Sequence, residues 1–245
     1  MSRNGGAGTV HAVPRWQDCP DLGPADLAVV FDVLRASSAI LAALAAGVRA
    51  VLPVESAAAA RAVRAARPDV WLAGEEDNLP PPGFQRGNSP HEWGPEAGGR
   101  DVVWSTTNGT RALGRVAGAG WVLVGALVNR RAVARAAAAH SGPVWLVAAG
   151  TRGGWALEDW LAVGAVAALL DPARWSDAAR AAILAFRAAA PDLPAVLADA
   201  AHARRLAAQG FDRDVAWCAA LDGLDFVAAR GPDGWLRRAA DLPLS

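Results

Sequence analysis

Lysine and tyrosine are both missing from this chain of 245 residues: all 24 of its basic side chains are arginine, and the tyrosine count is zero. Their absence excludes three kinds of chemistry. There is no amine for a Schiff base, no lysine for a P-loop and no phenol for acid–base work. Cysteine is scarce as well. Cys19 and Cys218 show no CxxC spacing and no accompanying histidine cluster, which argues against a zinc site. Charge of one sign is not in excess, since 24 arginines face 24 acidic residues and the two are interspersed. Nucleic-acid binding would call for a basic surplus or a basic block. The apolar runs, such as 160–170, are too short to span a bilayer, and the polar, glycine-rich segment 1–8 has no apolar signal core. These absences predict a soluble, cytoplasmic protein with neither nucleic acid nor membrane as a partner.

What is present is a core. Hydrophobic residues make up 53% of the chain, and many are alanine, which favours helix and close helix–sheet contact. Short β-rich runs alternate with longer alanine-rich ones. Strands are predicted at 9–13, 27–33, 48–54, 70–73, 101–105, 121–125, 144–148 and 225–229. Helices are predicted at 37–46, 56–66, 110–117, 131–139, 157–170, 176–189, 193–209 and 213–221. Several strands are continuous apolar runs, as in buried parallel sheet. The alternation predicts a layered α/β/α fold with a largely parallel or mixed sheet and a helix-rich C-terminal part. A single domain over 1–245 is expected, with the helical stretch at about 172–222 forming a layer or a small subdomain.

Five segments carry residues suited to chemistry. In FDVLRASS at 31–38, Asp32 ends an apolar run, where an acid can hold a metal or act as a base. Arg35 can clamp an anion, and Ser37 and Ser38 can cap the following helix, whose amides attract phosphate. In LAGEE at 72–76, Glu75 beside Asp32 can complete an oxygen-rich Mg²⁺ site. GNSP at 87–90, with Asn88 and Ser89, is a turn able to cradle an anion. STTNGTR at 105–111 places Thr107, Asn108, Thr110 and Arg111 between a buried strand and a helix, with Gly109 permitting close approach and Thr110 placed as an N-cap. A cap needs one such residue, so the cluster reads as an oxyanion loop. In AGTRGG at 149–154 a glycine loop leads to Glu158 and Asp159. Neighbouring helical residues point about 100° apart, so one acid is expected to face the site, with Asp159 preferred. A capped helix, a plain turn or solvated acids are the competing readings of the four segments other than STTNGTR, taken singly. Four of the five follow predicted strands, and that recurrence predicts one crevice of hydroxyls, arginines and carboxylates suited to a phosphoryl group.

In their order these motifs resemble the 2-phosphosulfolactate phosphatase family: DVLRASS at 32–38, GE at 74–75, GNSP at 87–90, TTNGTRAL at 106–113 and AGTRGGWALED at 149–159, with a weaker continuation through HARRLAAQGFDRDVAWC at 202–218. The resemblance implies an α/β fold and Mg²⁺-dependent hydrolysis of 2-phosphosulfolactate to sulfolactate and phosphate, a step of coenzyme M biosynthesis. It also implies Asp32, Glu75 and Asp159 as metal ligands, with Arg35 as a further catalytic residue. Ser37, Ser38, Asn88, Ser89, Thr107, Asn108, Gly109, Thr110 and Arg111 would bind the small anionic phosphate ester, and a homodimer is expected. Where the family pattern carries cysteine, this chain has Ala148 and Ala162, a departure that counts against a mechanism needing a thiol there and leaves a metal mechanism unaffected.

Other phosphatase classes fit less well. A haloacid-dehalogenase enzyme needs a second aspartate two places after its nucleophile, where Leu34 stands. A cysteine phosphatase needs arginine six places after its cysteine, where Ala25 and Leu224 stand. No GxSxG elbow is present, and the four histidines are scattered. Two rival readings remain: a phosphatase of another small anionic ester, and a non-catalytic binder of small dianions. Metal-activated water and Asp32 as covalent nucleophile both remain open.

Overall fold

The computed structural model describes residues 8–241, so the N-terminal segment noted above lies outside the described residues except for Gly8. Nine strands form one mixed sheet in the order β1-β7-β2-β6-β8-β9-β3-β5-β4. They are β1 (Val10–Val13), β2 (Leu27–Phe31), β3 (Ala50–Val54), β4 (Trp71–Gly74), β5 (Asp101–Ser105), β6 (Trp121–Gly125), β7 (Val144–Ala148), β8 (Ala228–Arg230) and β9 (Leu236–Arg238). The helices are α1 (Ala36–Ala45), α2 (Ala57–Ala66), α3 (Gly109–Arg115), α4 (Arg130–Ala139), α5 (Leu157–Ala167), α6 (Asp177–Ala189), α7 (Leu193–Ala198), α8 (Ala201–Ala208) and α9 (Asp212–Cys218).

The sheet has two parallel halves. β1, β7, β2 and β6 form the first, and β3, β5 and β4 the second. The antiparallel hairpin β8–β9 joins them, through Leu123↔Ala229 and Val124↔Ala228 on one side and the lone pair Val51↔Leu236 on the other. Twist of about 20–25° per step accumulates to roughly 100–125° over the five steps from β2 to β5. The C-terminal ends of strands from both halves meet at one crevice.

Burial explains the layering. On β2, Leu27, Val29 and Phe31 pack into a core with α4–α9, while Ala28 and Val30 pack into a second core with α1 and α3. The strand is buried on both faces, so its sequence reads as a continuous apolar run. The second core crosses from β2 and β6 to Val51, Val102 and Trp104 in the other half. A third, smaller cluster holds α2 against β3, β4 and β5 and includes Trp235.

Differences from the sequence reading have local causes. The helix expected over 193–209 is two helices, because the chain turns at Asp199 and Ala200. The strand expected at 225–229 begins at Ala228. β9 was not expected, since three residues are too few to show a period. One helical run, Asp177–Ala208, is long and apolar enough by length and composition to cross a membrane, unlike the short runs noted in the sequence. It is interrupted by a short 3₁₀ turn at Ala190–Asp192 and by the turn at Asp199 and Ala200, and Ile183, Phe186, Leu193, Leu197 and Leu206 pack into the first core.

Candidate active site

Three strand ends and two tight turns build the crevice. Asp32 and Arg35 follow β2, Glu75 follows β4, and Thr107 and Asn108 follow β5. Asp77 and Asn78 are the central pair of a turn closed by reciprocal Glu76–Leu79 backbone bonds of 2.9 and 3.1 Å, with φ of 51° and 69°. Arg152 (φ 50°) and Gly153 (φ 77°) are the central pair of a second turn, closed between Thr151 and Gly154 at 3.1 and 2.9 Å. Two positive-φ central residues mark type I′ geometry. Asp77, Asn78 and Arg152 therefore hold sparsely populated backbone conformations at the pocket wall, as functional residues often do. α8 adds His202 and Arg205, and Asn88 completes the lining.

Of the three carboxylates that line the pocket, Asp32 and Glu75 are buried and Asp77 is exposed. Asp32 is 8% exposed; its Oδ1 accepts the Ala36 amide at 3.3 Å, and no donor contacts Oδ2 among the described residues. Burial pushes its carboxyl up to about 6, against the opposing charge of His202 and with a smaller upward push from Glu75 and Glu158. Glu75 accepts the Thr107 amide at 2.9 Å and the Asn78 amide at 2.8 Å, tying the β5 loop to the Asp77–Asn78 turn. Two glycines bring these groups together. At Gly74 (φ 130°) a Cβ would lie 1.8 Å from Ser105 O, and at Gly109 one would lie 2.6 Å from Asp32 Oδ2. Only glycine permits either approach.

Several expected site residues serve the framework instead. Arg35 is not a free clamp. Its guanidinium donates to Asp214 Oδ2 and to Asn78 O, each at 2.7 Å, and lies 4.0 Å from the Phe211 ring centre. The caps expected at Ser37 and Ser38 are replaced by Asp32, whose carboxylate takes the first α1 amide. Ser37 Oγ accepts from the Asp32 amide at 2.9 Å and Ser38 Oγ donates to Val33 O at 2.8 Å, so both hydroxyls bond backbone away from the pocket. Thr110 is not the N-cap of α3. Its hydroxyl donates to Thr106 O at 2.9 Å, and Thr106 Oγ1 receives the Thr110 amide at 3.3 Å. Ser89 donates to Asp214 Oδ1 at 2.7 Å. Arg111 lies outside the pocket lining but lines a neighbouring groove that shares Glu75 and Thr107 with it.

Asp159, expected as a metal ligand, is 2% exposed and lies outside the pocket lining. Its Oδ1 accepts the Val33 amide at 2.7 Å and its Oδ2 the Gly150 amide at 2.9 Å. It clasps the loops after β2 and β7, and burial together with Asp32 and Glu158 drives its carboxyl upward. Its neighbour Glu158 points instead to His202, at 3.4 Å. Among the described residues no three His, Cys, Asp or Glu side chains converge as a ligand set, so the three-carboxylate expectation reduces to the pair Asp32 and Glu75.

His202, Arg205 and Asp214 have no site role in the sequence reading. His202 and Arg205 are three apart, which places them on one helical face, and this spacing is the signal that was present. Arg152 and Arg205 have no carboxylate partner among the described residues; Arg205 donates only to Thr151 Oγ1, at 3.3 Å. Of the arginines that line this pocket, they are the two open to an anion. The buried thiols of Cys19 and Cys218, pushed up to about 11 and about 12 by burial, are unsuited to nucleophilic work.

The sequence profile of a family described as 2-phosphosulpholactate phosphatase matches residues 16–230. A Synechococcus sp. (strain RCC307) protein named "Probable 2-phosphosulfolactate phosphatase" is 40% identical over 232 residues, covering 89% of this chain and 94% of that protein. Proteins of the same name from Deinococcus radiodurans and Carboxydothermus hydrogenoformans are 42% and 35% identical, covering 82% and 85% of this chain and 86% of each relative. On the profile match and these relatives, the chain belongs to the 2-phosphosulpholactate phosphatase family.

Proposed function

We propose that this protein is a phosphoric monoester hydrolase that releases phosphate from 2-phosphosulfolactate with the aid of Mg²⁺. The observation that carries the reading is one pocket in which two buried carboxylates, Asp32 and Glu75, face two arginines free of carboxylate partners, Arg152 and Arg205. The substrate bears a phosphate, a sulfonate and a carboxylate. Two arginines neutralise only part of such an ester, and the carboxylates beside them add repulsion unless a cation intervenes.

The donor set fits Mg²⁺. That ion is commonly held by one or two carboxylates together with water and substrate phosphate oxygens. Asp32 offers an oxygen without a protein donor, and the oxygens of Glu75 keep lone pairs beyond their single amide bonds. When bound, the ion supplies charge neutralisation at the phosphoryl group and makes water a better nucleophile. The chain does the rest. Arg152 and Arg205 take the anionic arms of the substrate. Arg35, locked to Asp214, Asn78 and Phe211, fixes the loop that carries Asp32. Glu75 holds the Thr107 and Asn78 amides, setting the distance between the two sides of the cleft.

The test is phosphate release from racemic 2-phosphosulfolactate with Mg²⁺ and with EDTA, beside phospholactate and phosphoglycerates. Selective, EDTA-sensitive release from the sulfonate is the expected result. Release confined to the other esters keeps the chemistry and changes the substrate. No release from any ester removes the proposal in favour of anion binding.

A further inference from the structure

His202 stands in the wall between the phosphate pocket and a second cavity sided by Trp155, Leu157 and Trp160. Its Nδ1 lies 3.4 Å from Oε1 of Glu158, a carboxylate only 2% exposed that lines the second cavity and not the first. Its Nε2 lies 3.4 Å from Oδ1 of Asn78, whose own amide nitrogen donates to Gln209 Oε1 at 2.8 Å. Both ring nitrogens thus face oxygen acceptors. A neutral imidazole has one N–H and an imidazolium has two, so only a protonated ring could serve both acceptors at once. The other charged groups around the pocket are Asp32 and Arg35 after β2, Glu75 and Asp77 after β4, Arg205 on the same helix and Arg152 on the facing turn.

We infer that His202 is the proton donor to the leaving oxygen, and that Glu158 is the positioning residue that holds the ring as a cation from behind. The inference rests on the phosphatase reading above. A hydroxy-acid ester leaves as a strongly basic alkoxide, and a proton delivered to it as the bond breaks lowers the barrier. In the step, a water oxygen bonds phosphorus while the bond from phosphorus to the ester oxygen breaks. The electron pair of that bond goes to the ester oxygen, which takes the Nε2 proton. One proton of the water stays on the phosphate, and the other returns through solvent to His202.

The experiment compares wild type, His202→Asn and Glu158→Gln across neutral pH on 2-phosphosulfolactate and on p-nitrophenyl phosphate, whose leaving group departs without a proton. His202→Asn is expected to lower kcat on the alkyl ester by roughly 10²–10⁴-fold. KM should stay within about threefold, since the lost interaction belongs to the transition state. The fall of kcat at high pH should disappear, and added imidazole should restore part of the rate. Glu158→Gln should keep the high-pH fall and move it to lower pH, because a neutral amide stabilises the cation less. An equal loss on both esters, a high-pH fall that survives His202→Asn, or an unmoved fall in Glu158→Gln each overturns the inference. If His202→Asn does not fold, the Glu158→Gln profile decides alone. Wild type that releases phosphate from neither ester overturns the phosphatase reading itself, and this inference with it.

Discussion

The carboxyl of Asp32, pushed up to about 6 chiefly by burial, would titrate near 3.9 in the unfolded chain. Below about pH 4 it is protonated in both states and costs nothing. As pH rises through 6 the folded state must hold a buried anion, and stability is lost. The loss is on the order of 1–3 kcal/mol, since each tenfold change in proton affinity is worth about 1.4 kcal/mol. Asp32→Asn is therefore expected to stabilise the EDTA-treated protein by about that amount at pH 7.5, to change little at pH 4, and to abolish phosphate release. Urea unfolding at the two pH values checks it; an equal gain at both would remove burial of the charge as the cause. Asp32 and Glu75 were legible in sequence because each follows an apolar strand run. Ser37, Ser38 and Thr110 misled because a hydroxyl near a helix start looks the same whether it bonds an anion or its own backbone. His202 and Asp214 were hidden for another reason. Their partners lie 44 and 179 residues away, and no local spacing encodes such pairings.

At the scale of elements, α3 shows how tightly the site constrains a helix start. Glycine weakens a helix by about 1 kcal/mol relative to alanine. Gly109 nevertheless opens α3, because a Cβ there would press on Asp32 Oδ2 at 2.6 Å and Ala36 Cβ at 2.9 Å. Gly114, later in the same helix, has its nearest such neighbour at 4.0 Å. Gly114→Ala should raise stability by about 1 kcal/mol and leave activity unchanged. Gly109→Ala should lower kcat about tenfold or more while the chain stays folded, since small displacements of catalytic groups are costly. Steady-state rates and thermal melts of the two variants decide it; full activity in Gly109→Ala would show that Asp32 is free to move. The strand–helix alternation was readable throughout. The two pocket turns were not, because Asp77-Asn78 and Arg152-Gly153 are ordinary loop dipeptides until their backbone conformation is known.

At the scale of the whole molecule, the family match ends at residue 230, yet the sheet is completed only by β9 beyond it. Trp235 and Leu236 are buried, at 8% and 0% exposure, and Leu236 makes the lone ladder pair to β3. Losing two such side chains costs roughly 5–10 kcal/mol, comparable with the stability of a typical domain. A chain ending at Arg230 is expected to lose cooperative unfolding and activity together, as circular dichroism melts and phosphate release would register. Retention of both would show that the second core suffices to hold the halves. The layered class was legible from periodicity alone. The reversal of direction between the halves was not, because it depends on a hairpin too short to announce itself.

That seam also bears on how an occupied molecule behaves. The first core lies on one half of the sheet and the third on the other, and only the second spans both. Asp32 and Arg152 belong to the first half, Glu75 and Thr107 to the second. A ligand gripped from both banks becomes a removable crossbeam, which braces the seam only while it is bound.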